Sequence, residues 1–246
     1  MISRYSVLNF FIQQKSTMRP SKIWYLALTS SLLFVIISNI DLVLGFYIKP
    51  IYIFFLYWFY YRSIKKHNIP LIIFQLSALI SEVYFLKDLD AFFSEVMIFY
   101  IIATAMMFFT FIPILKMKSQ EIKNEMLIEP ILGVVFCTYI IIHLLTVFYE
   151  SVPNKPLFIF SGVLLWIFTI VCTLIPLRNR HPYNFDLYII AAALLIECIL
   201  GFMHHYSIDN SLLLTTLNIA ICVHKAAVTS YFVKIIKIQS DNSYYY

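Results

Sequence analysis

Charge is what this 246-residue chain has least of. Charged residues make up 13% of it, about half the usual share of a globular domain, while hydrophobic residues reach 61%. A soluble fold of this size must cover its surface with polar side chains, and the chain does not carry enough of them. Cysteine is sparse as well. Cys137, Cys172, Cys198 and Cys222 lie far apart inside apolar runs, with no CxxC and no His/Cys ligand spacing. Neither a disulfide framework nor a structural zinc site is expected, and no metal or other cofactor. Glycine-rich phosphate loops, a GxSxG elbow and an HExxH pair are missing too, which removes the sequence support for those reaction classes. At the N-terminus the apolar stretch from Val7 to Ile12 is too short for a signal peptide, and no small-residue cleavage site follows it.

What the chain does have is long apolar runs. A helix crosses the hydrocarbon core with about 20 apolar residues, and roughly 17–25 are tolerated. By that measure the sequence holds eight spans, at 23–40, 46–61, 69–86, 91–115, 126–148, 156–177, 186–203 and 211–233. The expectation is an all-α integral membrane protein, an eight-helix transmembrane bundle over 23–238. A cytoplasmic segment at 1–22 precedes it and a short tail at 239–246 follows. Pro50, Pro70, Pro130 and Pro156 stand where spans open, and a missing N–H costs little there.

The net charge of +5 does not point to nucleic acid, because the positive residues sit in short clusters between apolar runs. Arg4, Lys15, Arg19, Lys22, Arg62, Lys65, Lys66, Lys116, Lys118, Lys123, Arg178, Arg180, Lys234 and Lys237 fall on one side of the spans. Only Lys49, Lys87 and Lys155 fall on the other. Fourteen against three places both termini in the cytoplasm of a multi-pass protein of the cell membrane. On this reading Lys49 snorkels from the start of the second span to the interface.

A six-residue echo accompanies the pattern. Lys49-Pro50-Ile51-Tyr52-Ile53-Phe54 opens the second span and Lys155-Pro156-Leu157-Phe158-Ile159-Phe160 the sixth, each followed one span later by a glutamate, Glu82 and Glu197. A shift of four spans preserves orientation, so the echo fits a parallel 4+4 duplication.

Charged groups inside a membrane cost about 2.5–3.5 kcal/mol each on insertion scales and generally face a partner or a cavity. The candidates are Glu82, Glu95, His143, Glu197, His224 and Lys225 within spans, and Lys49 and His204 at span ends. Helical spacing aligns Thr215, Asn218, Cys222, Lys225 and Thr229 on one stripe. Ala193, Glu197, Gly201 and His204 form another, and Gln75, Ala78 and Glu82 a third. Three polar stripes on apolar helices predict a shared hydrophilic pocket. The alternative is helix–helix pairing, in which Lys225 merely neutralises Glu82 or Glu197.

The layout resembles the YhhN family, the lysoplasmalogenase-like membrane proteins. The resembling residues are Lys49-Pro50, Ser81-Glu82-Val83-Tyr84-Phe85 where the family has Gly-Asp, Phe92 and Phe99 in the fourth span, Glu197 where it has Ser-Asp, and Thr229-Ser230-Tyr231 in the last span. Both family aspartates are glutamates here. Ala103 stands at the family's fourth-span histidine and Met106 at its tyrosine. The resemblance implies hydrolysis of the vinyl ether bond of a lysophospholipid-like substrate drawn from membrane lipids. Glu82 and Glu197 would be the catalytic pair, with Lys49, Glu95, His143, His204, His224 and Lys225 around the substrate. A desolvated carboxyl can hold a proton near neutral pH, and two carboxylates with different neighbours can divide acid and base roles. The same pocket could instead serve a non-enzymatic carrier or sensor of a small or lipidic molecule.

Overall fold

The structure is a computed structural model, and it describes residues 22–109, 111–117, 119, 127–178, 183–208 and 210–239. The basic residues Arg4, Lys15, Arg19, Lys118, Lys123 and Arg180, and the tail beyond Gln239, lie outside the described residues. Nine helices are described: α1 (Lys22–Ile40), α2 (Leu42–Ile64), α3 (Ile69–Asp88), α4 (Phe93–Phe108), α5 (Phe111–Leu115), α6 (Ile128–Phe148), α7 (Lys155–Arg178), α8 (Asn184–Tyr206) and α9 (Ser211–Gln239). Counting α4 and α5 as one span, eight are long and apolar enough to cross a membrane. This is the architecture of a multi-pass membrane protein. Its outer surface is apolar, with side chains such as Leu32, Phe54, Phe136 and Tyr139 each more than half exposed. Lipid can cover such a surface and water cannot.

Capping residues decide where helices begin. Asn68 Oδ1 accepts from Leu71 N at 3.0 Å and starts α3, with Pro70 in its first turn. Asp41 Oδ1 accepts from the backbone N–H of Val43 and Leu44, so α2 starts at Leu42. The expected start near residue 46 is therefore late by about one turn, and Pro50 lies inside the helix. Its ring nitrogen cannot donate to the carbonyl of Phe46, a loss that the surrounding helices tolerate. In the fourth span Pro113 has the same effect on Phe109, and the chain passes there from α4 to the short α5. Lys65 closes α2 in the left-handed conformation, with φ 58° and its N–H donated to Tyr61 O at 2.6 Å.

Connections alternate between two ends of the bundle. At the Asp41 end, Asn154 donates to Ser94 at 3.3 Å and Tyr206 donates to Asp90 at 3.0 Å. At the His67 end, Arg178 donates to Leu115 O at 2.9 Å, Lys234 donates to Asp186 at 2.5 Å, and Tyr57 bonds His67 at 2.8 Å. The last pair, with Tyr61 stacked on the same ring, gives His67 a fixed place between α2 and α3. α1 and α2 run against each other closely: a methyl on Gly45 would come within 3.0 Å of Ser38 Cα. α9 packs against α1, α2 and α8 and is the most buried span, whereas α6 leans mainly on α7 and is the least. α9 is also long, about 43 Å at 1.5 Å per residue. It is the axis around which the polar side chains gather.

Candidate functional site

The site is built on α2, α3, α8 and α9. The expected stripe on α9 turns inward: Asn218, Cys222, Lys225 and Thr229 are all buried. Thr229 receives a hydrogen bond from Gln75 of α3 at 3.1 Å. At the Asp41 end Thr215 bonds Asn39 of α1. Between them Lys225 is 1% exposed and pairs with Glu82, itself buried in α3. Lys49 of α2 approaches the other oxygen of the same carboxylate, Nζ to Oε2 2.5 Å. Lys49 does not snorkel. Because α2 begins at Leu42, Lys49 stands two turns inside the helix, 1% exposed, and only an internal partner is within its reach.

Glu197 of α8 forms a second pair, with His224 Nδ1 at 2.9 Å. The two pairs are neighbours, since His224 and Lys225 are consecutive. Two ammonium groups thus meet one carboxylate, Glu82, and the histidine meets the other, Glu197. Burying any one alone would cost several kcal/mol. As a set they offset one another, which is why four polar helices can meet in a lipid-covered bundle. Glu82 has two cationic partners and a side chain only 9% exposed. Glu197 has one partner and is 17% exposed.

Both carboxylates line a cavity of about 90 Å³ that extends from mid-bundle toward the Asp41 end. Its other walls are almost wholly apolar, among them Phe85, Leu89, Met97, Phe158, Phe202 and Ile221. Ser81, Tyr100, Ser161 and Cys198 add the few remaining polar atoms; Tyr100 Oη lies 3.4 Å from Cys198 Sγ. Gly201 presents no side chain to this space, and Phe85 stands opposite it. A second chamber of about 20 Å³ lies on the His67 side of the carboxylates and shares Ser81, Glu82, Tyr100 and Glu197 with the first.

Of the expected site residues, Glu82, Glu197, Lys49, Lys225 and His224 come together. The others do not. Glu95 is exposed on α4, and His143 is exposed on α6 and stacked on Tyr139, so both face outward, away from the cavity. His204 is half-buried near the end of α8 and lines neither chamber. The six-residue echo also parts in three dimensions, because Lys155 is the first residue of α7 and pairs with Glu150 at 2.5 Å in the exposed α6–α7 turn. Sequence reading missed Tyr100, Thr104 and Cys198. The spacing of Tyr100, Ala103, Thr104 and Met107 is the signal for the first two, one inward face of α4 with two hydroxyls on it. Among the described residues no group of three His, Cys, Asp or Glu side chains could hold a metal ion.

Compared with known proteins, the chain matches no family model, no curated protein and no solved structure.

Proposed function

We propose that this protein is a membrane-embedded hydrolase of lipid vinyl ethers, working from a cavity that opens toward the non-cytoplasmic side of the cell membrane, with both termini in the cytoplasm. One observation carries the reading: a buried carboxylate, Glu82, and a partly buried one, Glu197, in different electrostatic settings line one apolar, lipid-compatible cavity. Chains of a lysophospholipid-like molecule fit its walls by chemistry, and the carboxylates stand at its inner end. The positive-inside asymmetry supports the orientation. The resemblance to lysoplasmalogenase-like proteins supports the reaction class. Its missing fourth-span histidine, Ala103 here, borders the same small chamber that His224 reaches from α9.

The roles follow from the partners. Glu82, between two ammonium groups, serves as a fixed anion that also holds Lys49 and Lys225 in place. Glu197, with His224 alone, is the group free to exchange a proton. Glu197 protonates the enol carbon of the vinyl ether, and the C=C electron pair forms the new C–H bond. The cation that results, an oxocarbenium ion, is stabilised by the nearby Glu82 carboxylate. Water adds to the cationic carbon. The hemiacetal then breaks its bond to the ether oxygen, which takes a proton, and an aldehyde and the chain-free glycerophosphodiester alcohol leave. Purified protein in lipid nanodiscs should release a fatty aldehyde from a lysoplasmalogen. Glu197→Gln should reduce the rate about 10²–10⁴-fold, as removal of a general acid does. Absence of aldehyde from any vinyl ether lipid overturns the reading.

A second reading, a lipid or small-molecule carrier or sensor, is favoured by the mutual pairing of Lys49, Glu82 and Lys225, which a binding pocket without turnover would equally require. It is upheld if Glu82→Gln weakens lipid binding while no aldehyde forms from the unaltered protein.

A further inference from the structure

We infer that the smaller chamber is the binding site of a single water molecule, held by His224 Nε2 and standing behind Glu82 and Glu197 as the nucleophile for a ligand in the larger cavity. The presence of the water rests on the geometry alone; its use as nucleophile rests on the hydrolase reading.

Size is the first argument. A cavity needs roughly 10–15 Å³ to hold one water, and the chamber offers about 20 Å³. No organic ligand fits there. Chemistry is the second. Apolar voids of this size stay dry, whereas a polar site with two to four partners retains water. Here Glu82, Glu197, Lys225, His224 and Thr104 all face the chamber.

The third argument is an unmet hydrogen bond. His224 is 3% exposed, and its Nδ1 is committed to Glu197 Oε2. Its Nε2 is buried and has no partner within the protein, and Thr104, 1% exposed, brings a hydroxyl to the same lining. A buried ring nitrogen left without a partner keeps its full desolvation penalty, and one water in the chamber removes that cost. The carboxylate at Nδ1 also sets the tautomer. With the proton at Nδ1, the Nε2 lone pair faces the chamber as an acceptor. A water there donates one O–H to Nε2 and presents its own lone pair elsewhere, which is the posture of an activated nucleophile.

The shared wall makes this useful. Ser81, Glu82, Tyr100 and Glu197 border both spaces, so the chamber adjoins the lipid cavity across a shared wall that holds both carboxylates. The water oxygen forms a bond to the oxocarbenium carbon and its proton passes to Nε2. The π pair of the C=O⁺ bond returns to the ether oxygen. Charge and atoms balance with no further reactant. A lipid chain filling the larger cavity would exclude bulk water, so a separate store on the far side of the carboxylates is what hydrolysis in that cavity needs.

The test is an ordered-water map of the full-length protein in nanodiscs, paired with assays on Ala103→Leu, which fills the chamber, and Thr104→Val, which keeps the shape and removes the hydroxyl. Expected is density within hydrogen-bond distance of Nε2 in the unaltered protein and none in Ala103→Leu. Aldehyde release should fall about 100-fold in Ala103→Leu, while a saturated alkyl-ether lysolipid, which cannot be hydrolysed, binds with undiminished affinity. Thr104→Val should weaken the density and slow release less. A chamber without density, in a map that resolves other buried waters, overturns the site whatever the activity. Unchanged turnover in Ala103→Leu overturns the role of the water. Density at Nε2 in a protein that hydrolyses no vinyl ether upholds the water site and removes the hydrolase reading.

Discussion

Lys49 and Lys155 head nearly the same hexapeptide, yet one is sealed at mid-bundle and the other sits at the rim. The difference lies upstream of both. Asp41 caps α2 eight residues before Lys49, whereas Asn154 accepts from Leu157 N at 3.2 Å and starts α7 at Lys155 itself. A cap placed two turns earlier carries the same lysine about 10 Å deeper along the helix axis, at 1.5 Å per residue. There it must find a carboxylate. At the rim it finds Glu150, 81% exposed, in a pairing that water could replace. Local sequence sets the chemistry of the residue, and the position of the helix start sets its worth.

The largest effect expected from breaking this contrast is at Glu82. Glu82→Ala leaves Lys49 and Lys225 facing each other without their shared anion and should cost about 3–5 kcal/mol. Thermal unfolding followed with a thiol-reactive dye reads this directly, since Cys137, Cys172 and Cys222 are buried until the bundle opens. Lys49→Met should cost less, about 1.5–3 kcal/mol, the range for a hydrogen bond to a charged group, because Lys225 still holds the carboxylate. Asp41→Ala removes the cap and should cost about 0.5–2 kcal/mol. Lys155→Ala should change stability by less than about 1 kcal/mol, as exposed pairs do. Equal losses at Lys49 and Lys155 would show that depth does not matter. One combination sharpens the comparison further. The triple variant Lys49→Met, Glu82→Leu, Lys225→Met should regain most of the stability lost in Glu82→Ala, because apolar side chains of similar volume replace buried ion pairs at little cost. It should also lose every lipid-directed activity. A triple variant as unstable as Glu82→Ala would mean that the charges hold the fold.

Much of this was legible from the chain. The eight spans lie within a few residues of their expected places because apolar length is a strong and local signal. The inward stripe of α9 followed from the spacing of Asn218, Cys222, Lys225 and Thr229. What composition could not reveal was depth. Asp41 reads as a polar residue between spans, and only as a cap does it lengthen α2 and draw Lys49 inside. Glu95 and His143 illustrate the converse. A charged residue within an apolar run declares a cost, but not the direction in which its helix turns, and both face outward on α4 and α6. Partner choice was also hidden. Lys225 was expected beside Glu82 or Glu197, and its neighbour His224 takes the second acid, a division that depends on one helical step of about 100°.

The burial of α9 has a consequence for biosynthesis. Chains emerge N-terminus first, so α9 leaves the ribosome after α3 and α8, when Glu82 and Glu197 have entered the membrane without Lys225 and His224. Until then, among the described residues, Lys49 is the one cation paired with Glu82, and Glu197 lacks the imidazole of His224. The polar centre therefore closes only when α9 slots between α2 and α8, and a nascent chain stalled before Ser211 would present incompletely paired acids to the quality-control machinery of its membrane.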